Sequence, residues 1–386
     1  MPTTPKLKSR LPQVGTTVFT TMSQLAVQHQ AVNLGQGFPD FGCDPALPAL
    51  VAEAMAAGHN QYPMMSGVPA LREAVAAKVA TLYGQQYDAA SEITITSGAS
   101  QALMTAILCA VHPGDEVIVI EPAYDLYLPA IALAGGVAVT VPMELGEQGY
   151  SVGWAKVAAA VSARTRMIVI NSPHNPTGSI LRREDLDALA AIVRGSDILI
   201  LSDEVYEHMV FDGAAHESVC RHPELAARAF VVSSFGKTYH VTGWKVGYVA
   251  APASLMTEFR KVHQYNVFTV NTPMQHAIAC YMADPAPYLE LPAFYQAKRD
   301  LFRDGLRDSR FTLLPADGTY FQCVRYEAIS DLPEAQFARW LTEHARVAAI
   351  PMAAFYRDGL DSGIVRFCFA KQDATLRVAL ERLASL

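Results

Sequence analysis

Long apolar runs, basic tracts and paired cysteines are all missing from this sequence, and each absence excludes a class of protein. The longest apolar stretches, around Ala102–Val111 and Ala130–Val141, fall short of the roughly 20 residues that a bilayer span requires. No run of Lys and Arg forms a footprint for nucleic acid or anionic lipid, and a net charge of −7 opposes any polyanionic partner. The early cations Lys6, Lys8 and Arg10 lead into Leu-Pro-Gln-Val-Gly-Thr and not into an apolar segment. No secretory signal is therefore read, and the expectation is a cytoplasmic protein. The six cysteines are scattered, without a Cys-x-x-Cys, and Cys109 and Cys368 lie in apolar runs as small core residues. The eleven histidines offer no close pair with a third ligand, so no metal site is expected.

What is present is a long chain with much to bury. At 386 residues and 51% hydrophobic, it exceeds one core, and two domains are expected. From about Asp44 to Pro285, helical spacing alternates with short β-rich runs. Helices are predicted at Pro48–Met55, Pro69–Tyr83 and Gln101–Val111. Strands are predicted at Glu92–Thr96, Glu116–Ile120, Met167–Ile170, Ile198–Leu201, Phe230–Val232 and Gly247–Ala250. That alternation predicts an α/β fold with a mostly parallel sheet covered on both faces. After Asp284-Pro-Ala-Pro the pattern changes to a helix over Leu291–Leu306 and strands near Gly318–Val324 and Ile364–Phe369, a smaller α+β unit. The expected division is a segment over 1–45, a large domain over 46–285 and a small domain over 286–386.

The polar motifs sit just past the strands, where open α/β sheets hold their ligands. Ser233-Ser234-Phe235-Gly236-Lys237-Thr238 follows Phe230–Val232, and Lys245 comes eight residues after Lys237. Lys237 there suits a Schiff base with an aldehyde cofactor, with Ser234 and Lys245 on that cofactor's phosphate. A solvated lysine in a Gly-flanked loop is the plain alternative for Gly-Lys-Thr taken alone. Thr96-Ser97-Gly98-Ala99-Ser100-Gln101 opens a helix and offers a second anion site through free N–H groups. Asp203 ends a buried strand and needs a cation or several donors, which a pyridinium nitrogen would satisfy; an N-cap is the other reading. Tyr206 would donate to the cofactor's phenolate oxygen, or pack in the core. Asn171-Ser-Pro-His-Asn175-Pro-Thr-Gly178 is a rigid turn that would aim the Asn175 amide at a bound ring, and His174 within it reads as structural. Tyr124, after Glu116–Ile120, would stack on a planar ring or pack. Arg366, in Ile364-Val-Arg-Phe-Cys-Phe369, cannot shed its charge and needs an anion, either a substrate carboxylate or a structural partner.

Together these motifs resemble the fold type I pyridoxal-phosphate aminotransferases of the class I/II family. Val32–Phe41, Asn60-Gln61-Tyr62, Asn171–Gly178, Ser202–His208 and Ser234–Gly247 carry the likeness, in order, from about residue 11 onward. Within the family, Leu11–Phe19 and Val262-His263-Gln264-Tyr265 are most similar to methionine aminotransferases and their glutamine transaminase K/kynurenine aminotransferase relatives. The resemblance implies a pyridoxal 5'-phosphate enzyme, a homodimer with shared sites, that exchanges an amino group between amino acids and 2-oxo acids by a ping-pong mechanism. It implies Lys237 as the cofactor's lysine and base. Ala99, Ser100, Ser234 and Lys245 would bind the phosphate, with Tyr62 from the neighbouring subunit. Tyr124 would stack on the ring, Asn175 and Tyr206 would contact its O3′, and Asp203 its nitrogen. Gly37, Asn175 and Arg366 would take the substrate carboxylate. Gln264–Thr272 contains no Arg or Lys but offers Phe268, which with Val18, Phe19 and Tyr62 would form an apolar pocket wall. Methionine and aromatic donors are therefore expected, with glutamine also possible on this wall.

Three rival readings remain on the sequence. A carbon–sulfur β-lyase of the same fold shares nearly the same cofactor motifs. A non-catalytic cofactor-binding regulator is opposed by the absence of an appended basic segment. A nucleotide-binding α/β protein is opposed by Gly236-Lys237-Thr238, which lacks the upstream glycine of a P-loop.

Overall fold

Each of the six β-rich runs read between Glu92 and Ala250 becomes a strand of one seven-stranded sheet. The computed structural model describes residues 7–386. The strands are β1 (Ile93–Thr96), β2 (Glu116–Glu121), β3 (Val137–Pro142), β4 (Thr165–Asn171), β5 (Leu199–Asp203), β6 (Ala229–Ser234) and β7 (Gly247–Ala250). They lie in the order β1-β7-β6-β5-β4-β2-β3. All neighbours run parallel except β7, which is antiparallel to both β1 and β6. The seventh strand, β3, lies in the stretch read only as apolar. It is an edge strand with Val137 exposed, so its pattern carries less of the buried-strand signature.

Successive side chains of these strands point to opposite faces, and both faces are packed. Ile95, Ile118, Ile168 and Ile200 enter one apolar cluster. Val117, Val119, Val169 and Leu201 enter the other, under the helix Gly98–Ala110. Each such side chain stabilises the fold by roughly 1.5–3 kcal/mol of burial. Helix Pro69–Tyr83 begins with Pro at its first turn and ends on Gly84 at φ 78°, the left-handed cap that favours glycine.

Deeper in the same region, Glu207 gathers four donors without reaching solvent. Lys78 Nζ lies 2.6 Å from its carboxylate, Tyr83 OH 2.6 Å, Ser233 Oγ 2.5 Å and Tyr248 OH 3.0 Å. Burial opposes the charge, but Lys78 and the other donors outweigh it and hold the carboxyl well below its usual range.

The second sheet is built from β8 (Thr312–Leu313), β9 (Phe321–Arg325), β10 (Ile350–Pro351) and β11 (Ile364–Cys368), in the order β8-β9-β11-β10. Strand β9 starts at Phe321, three residues later than the sequence predicts, because Thr319 takes φ 66° and turns the chain. The N-terminal segment joins this sheet's core. Val32–Asn33 pairs in parallel with Val347–Ala348, and Cys368 N donates to Leu34 O at 2.7 Å. These contacts carry the Gly35–Gly37 loop to the edge of the large sheet. No helix among the described residues is long and apolar enough to cross a membrane, and none of their side chains cluster as a metal site.

Candidate active site

Parallel strands β2, β4, β5 and β6 end side by side, and a cavity of about 220 Å³ opens beyond them. Its lining unites Ala99, Ser100, Tyr124, Asn175, Asp203, Tyr206, Ser234, Lys237 and Lys245, nine residues singled out from sequence. The register explains the gathering. Asn171 pairs with Asp203, and Ser234 pairs with Gly247. Gly247 lies so close to the helix Gly98–Ala110 that a Cβ would sit 3.1 Å from Ala99 N. Gly98 takes φ 71°, and a Cβ there would meet Lys245 Nζ at 3.4 Å. Backbone N–H groups, the Ser234 hydroxyl and the Lys245 ammonium thus converge on one spot, which suits a phosphate. Asp203 stands two strands away from β7, roughly 10 Å by strand spacing.

Asp203 is buried and no helix follows it, so the N-cap reading falls. Tyr127 OH donates to its Oδ2 at 2.7 Å, and Val205 N donates to Oδ1 at 3.3 Å. Burial pushes the carboxyl up to about 6 against these donors and against the nearby Lys237 charge. A cation placed against it would draw the carboxyl back down. Tyr127 carries no motif of its own and was not foreseen. Its only sequence signal is an aromatic six residues past the end of β2.

The turn at 171–178 is pinned to β5. Asn171 Nδ2 donates to Asp203 O at 2.8 Å, and Asn175 N donates to Asn171 Oδ1 at 2.8 Å. Asn175 Oδ1 accepts from Arg366 Nη1 at 2.7 Å. Arginine can only donate, so the amide oxygen faces Arg366 and the NH₂ is left for the cavity. His174 is structural, as read. Its Nδ1 lies 2.7 Å from Thr177 Oγ1, and burial pushes the ring down to about 4.

Arg366 sits on β11 at 1% exposure. Its Nη2 donates to Gly35 O at 3.1 Å, its Nε has no partner, and no carboxylate among the described residues pairs with it. Aromatic rings surround the guanidinium instead, with Phe321 at 3.8 Å, Phe355 at 4.9 Å and Phe19 at 5.6 Å. A direct ion pair is thereby excluded; Asp125 feels the Arg366 charge without pairing to it, and an arriving carboxylate would find the guanidinium without a bonded counter-ion. Gly37 closes the same region. A Cβ on it would lie 2.8 Å from Phe321 Cζ, so only glycine fits this approach.

Lys237, in the short helical turn Phe235–Thr238, directs Nζ to Tyr320 OH at 2.8 Å and to Gly37 O at 3.3 Å. Burial, with the neighbouring Arg366 and Lys245 charges, pushes its amine down to about 8. A lysine so placed is a nucleophile and base near neutral pH. Tyr62 and Phe268 do not line the cavity. They meet edge to face at 5.3 Å on an outer surface, where Tyr62 is 80% exposed and Phe268 takes φ 66°.

A family model described as aminotransferase class I and II matches residues 29–383. A methionine aminotransferase from Escherichia coli (strain K12) is 51% identical over 380 residues, 98% of this chain and 98% of that protein. The crystal structure of YbdL from Escherichia coli, identified there with a methionine aminotransferase function, superposes at TM-score 0.97. It is 50% identical and covers 100% of both chains. That of N-succinyldiaminopimelate aminotransferase from Mycobacterium tuberculosis superposes at TM-score 0.94, with 39% identity over 98% of this chain and 100% of that one.

Proposed function

The chain belongs to the class I and II aminotransferases, a pyridoxal-phosphate-dependent family, and from that premise we propose that it moves the amino group of methionine to a 2-oxo acid. Aromatic amino acids and glutamine are further donors, and the two half-reactions alternate in ping-pong fashion. The observation that carries the donor class is one buried arginine at the site without an ion-paired carboxylate, Arg366, with no Arg or Lys in Gln264–Thr272. A donor with one carboxylate is matched by one arginine. An apolar thioether side chain packs well on aromatic rings, by about 0.3–1.5 kcal/mol. The Escherichia coli relative described as a methionine aminotransferase supports the same choice.

The cavity fits the cofactor. The Gly98–Ser100 turn, Ser234 and Lys245 would hold the phosphate, Tyr124 and Val205 the ring faces, Asn175 and Tyr206 its O3′, and Asp203 its nitrogen. Bound there, pyridoxal phosphate supplies an electron sink for the donor's α-carbon. Arg366 and the Asn175 amide seat the donor carboxylate next to the Gly37 backbone. Lys237 Nζ takes the α-proton, and its depressed basicity leaves a usable unprotonated fraction near neutral pH. In this reading, residues 46–285 form the cofactor domain and 286–386 the smaller domain that brings Arg366, with 1–45 closing the pocket. The protein would work in the cytoplasm.

A donor screen tests the specificity. Twenty amino acids are mixed singly with the holoenzyme, and loss of the bound cofactor's absorbance is followed without an acceptor. Methionine and aromatic donors should lead. Aspartate should trail by orders of magnitude, because its second carboxylate would be desolvated without a partner. Phe268→Ala should reorder the donors. Aspartate matching methionine, or a ranking indifferent to Phe268, would overturn the pocket.

The outward-facing Tyr62–Phe268 pair supports a shared-site homodimer, each pair serving the other subunit. Mixing Lys237→Ala chains with Tyr62→Phe chains should restore activity in the purified heterodimer, because one site keeps both residues. A heterodimer no better than either parent would refute shared sites.

A further inference from the structure

We infer that Tyr320 is a positioning residue for Lys237, and that its hydroxyl joins the lysine amine to the loop that receives the donor carboxylate. The inference rests on Lys237 as the cofactor's lysine.

Tyr320 is fully buried just before β9, with its ring edge-on to Tyr206 at 5.1 Å and 87°. Its hydroxyl proton is committed to Gly37 O, and Tyr206 OH approaches the Tyr320 hydroxyl oxygen at 3.5 Å. A phenol whose only proton is donated elsewhere presents lone pairs alone to the lysine. It can accept an N–H from Nζ, at 2.8 Å, but cannot give the amine a proton.

That asymmetry sets the direction of the base. A neutral amine has two N–H bonds and one lone pair. Tyr320 OH and Gly37 O take the two N–H bonds, so the lone pair is left to face the cavity that Lys237 lines. The same loop is held a second time, because Gly35 O accepts from Arg366 Nη2. The carboxylate-binding arginine and the lysine base are thus fastened to carbonyls two residues apart. Seating a donor on Arg366 and aiming the base are geometrically linked.

Charge reinforces the assignment. Lys237 is faced by Asp203, which favours its protonated form, by Arg366 and Lys245, which oppose it, and by the Cys368 thiol. Tyr320 oxygen favours the ammonium form as an acceptor, so its removal should lower the amine's pKa further.

Tyr320→Phe keeps the ring, and Gly37 O keeps an N–H from Lys237, so the fold should hold; a thermal melt of the full chain checks this. Borohydride reduction of the holoenzyme, with peptide mapping, first shows whether Lys237 carries the cofactor in parent and variant. The pH dependence of Lys237 reductive methylation is then measured in the cofactor-stripped full chain. Single turnover with methionine is measured in the holoenzyme. We expect the label on Lys237 in both proteins, a lower apparent pKa in the variant and a single-turnover rate reduced roughly 10- to 100-fold with little change in donor affinity. Parental values for both quantities would overturn the inference. A slower step with a parental titration would mean a packing role and would overturn it as well. A label on another lysine would instead remove the reading on which the inference stands.

Discussion

Lys237→Ala is expected to lower the reaction of every donor by at least roughly 10⁴-fold, the upper end of what one positioned acid–base group supplies, because the nucleophile is lost with the base. The site offers no replacement. Lys245, the other lysine lining the cavity, lies against Gly98 at the anion-binding turn. The variant should still hold pyridoxal phosphate without a covalent link, since Asp203, Asn175, Ser234 and Lys245 are untouched. Borohydride should therefore label the parent at the peptide that contains Lys237 and leave the variant unlabelled. Cofactor retained without the label, together with the lost rate, is the expected pair of results. A labelled variant would show that another lysine does the work.

The second large effect falls on Arg366. Arg366→Ala should weaken every donor alike, by roughly 2–5 kcal/mol, because all donors share the α-carboxylate. At about 1.4 kcal/mol per tenfold, that is about 30-fold to several-thousand-fold in kcat/KM. Stability should behave differently. Removing one half of a buried ion pair usually destabilises a protein because the other half is stranded, yet here no carboxylate is stranded. Arg366 is instead a buried charge with no ion-paired carboxylate, held by two carbonyl-type oxygens and three aromatic rings. Its removal should thus cost activity through the lost carboxylate anchor, while stability falls only through the cavity left and the two acceptors, Asn175 Oδ1 and Gly35 O, left without a donor. Steady-state kinetics on methionine, phenylalanine and glutamine, beside a thermal melt, separates the two. A loss confined to one donor would contradict the role of Arg366 as the common carboxylate anchor.

These residues could be read in advance because each lies within a few positions of a strand end, next to glycine, proline or a second polar group. Lys237, Asp203 and the 171–178 turn announce themselves by breaking an apolar run with groups that are costly to bury unpaired. Arg366 does the same from inside a strand. Tyr127 and Tyr320 gave no such signal. Tyrosine is at home in a core, and each becomes informative only beside a partner 76 or 83 residues away. The antiparallel direction of β7 was equally silent, since alternation of apolar residues is the same in either direction. The edge strand β3 was hidden by its half-exposed pattern. Tyr62 and Phe268 pair with each other on an outer surface, outside the cavity.

The Glu207 cluster bears on how sequence changes in this chain should be interpreted. One carboxylate binds the helix Pro69–Tyr83, the turn after β5, and strands β6 and β7, and it is satisfied only when all four segments have arrived. The neighbouring Ser233 is one residue from Ser234 and four from Lys237. A substitution at Glu207 or Lys78 would strand its buried partner and loosen the sheet end that presents both. Such a variant would look like a loss of cofactor affinity, although neither residue lines the cofactor cavity. An inactive natural variant in this region is therefore a question about assembly before it is a question about chemistry.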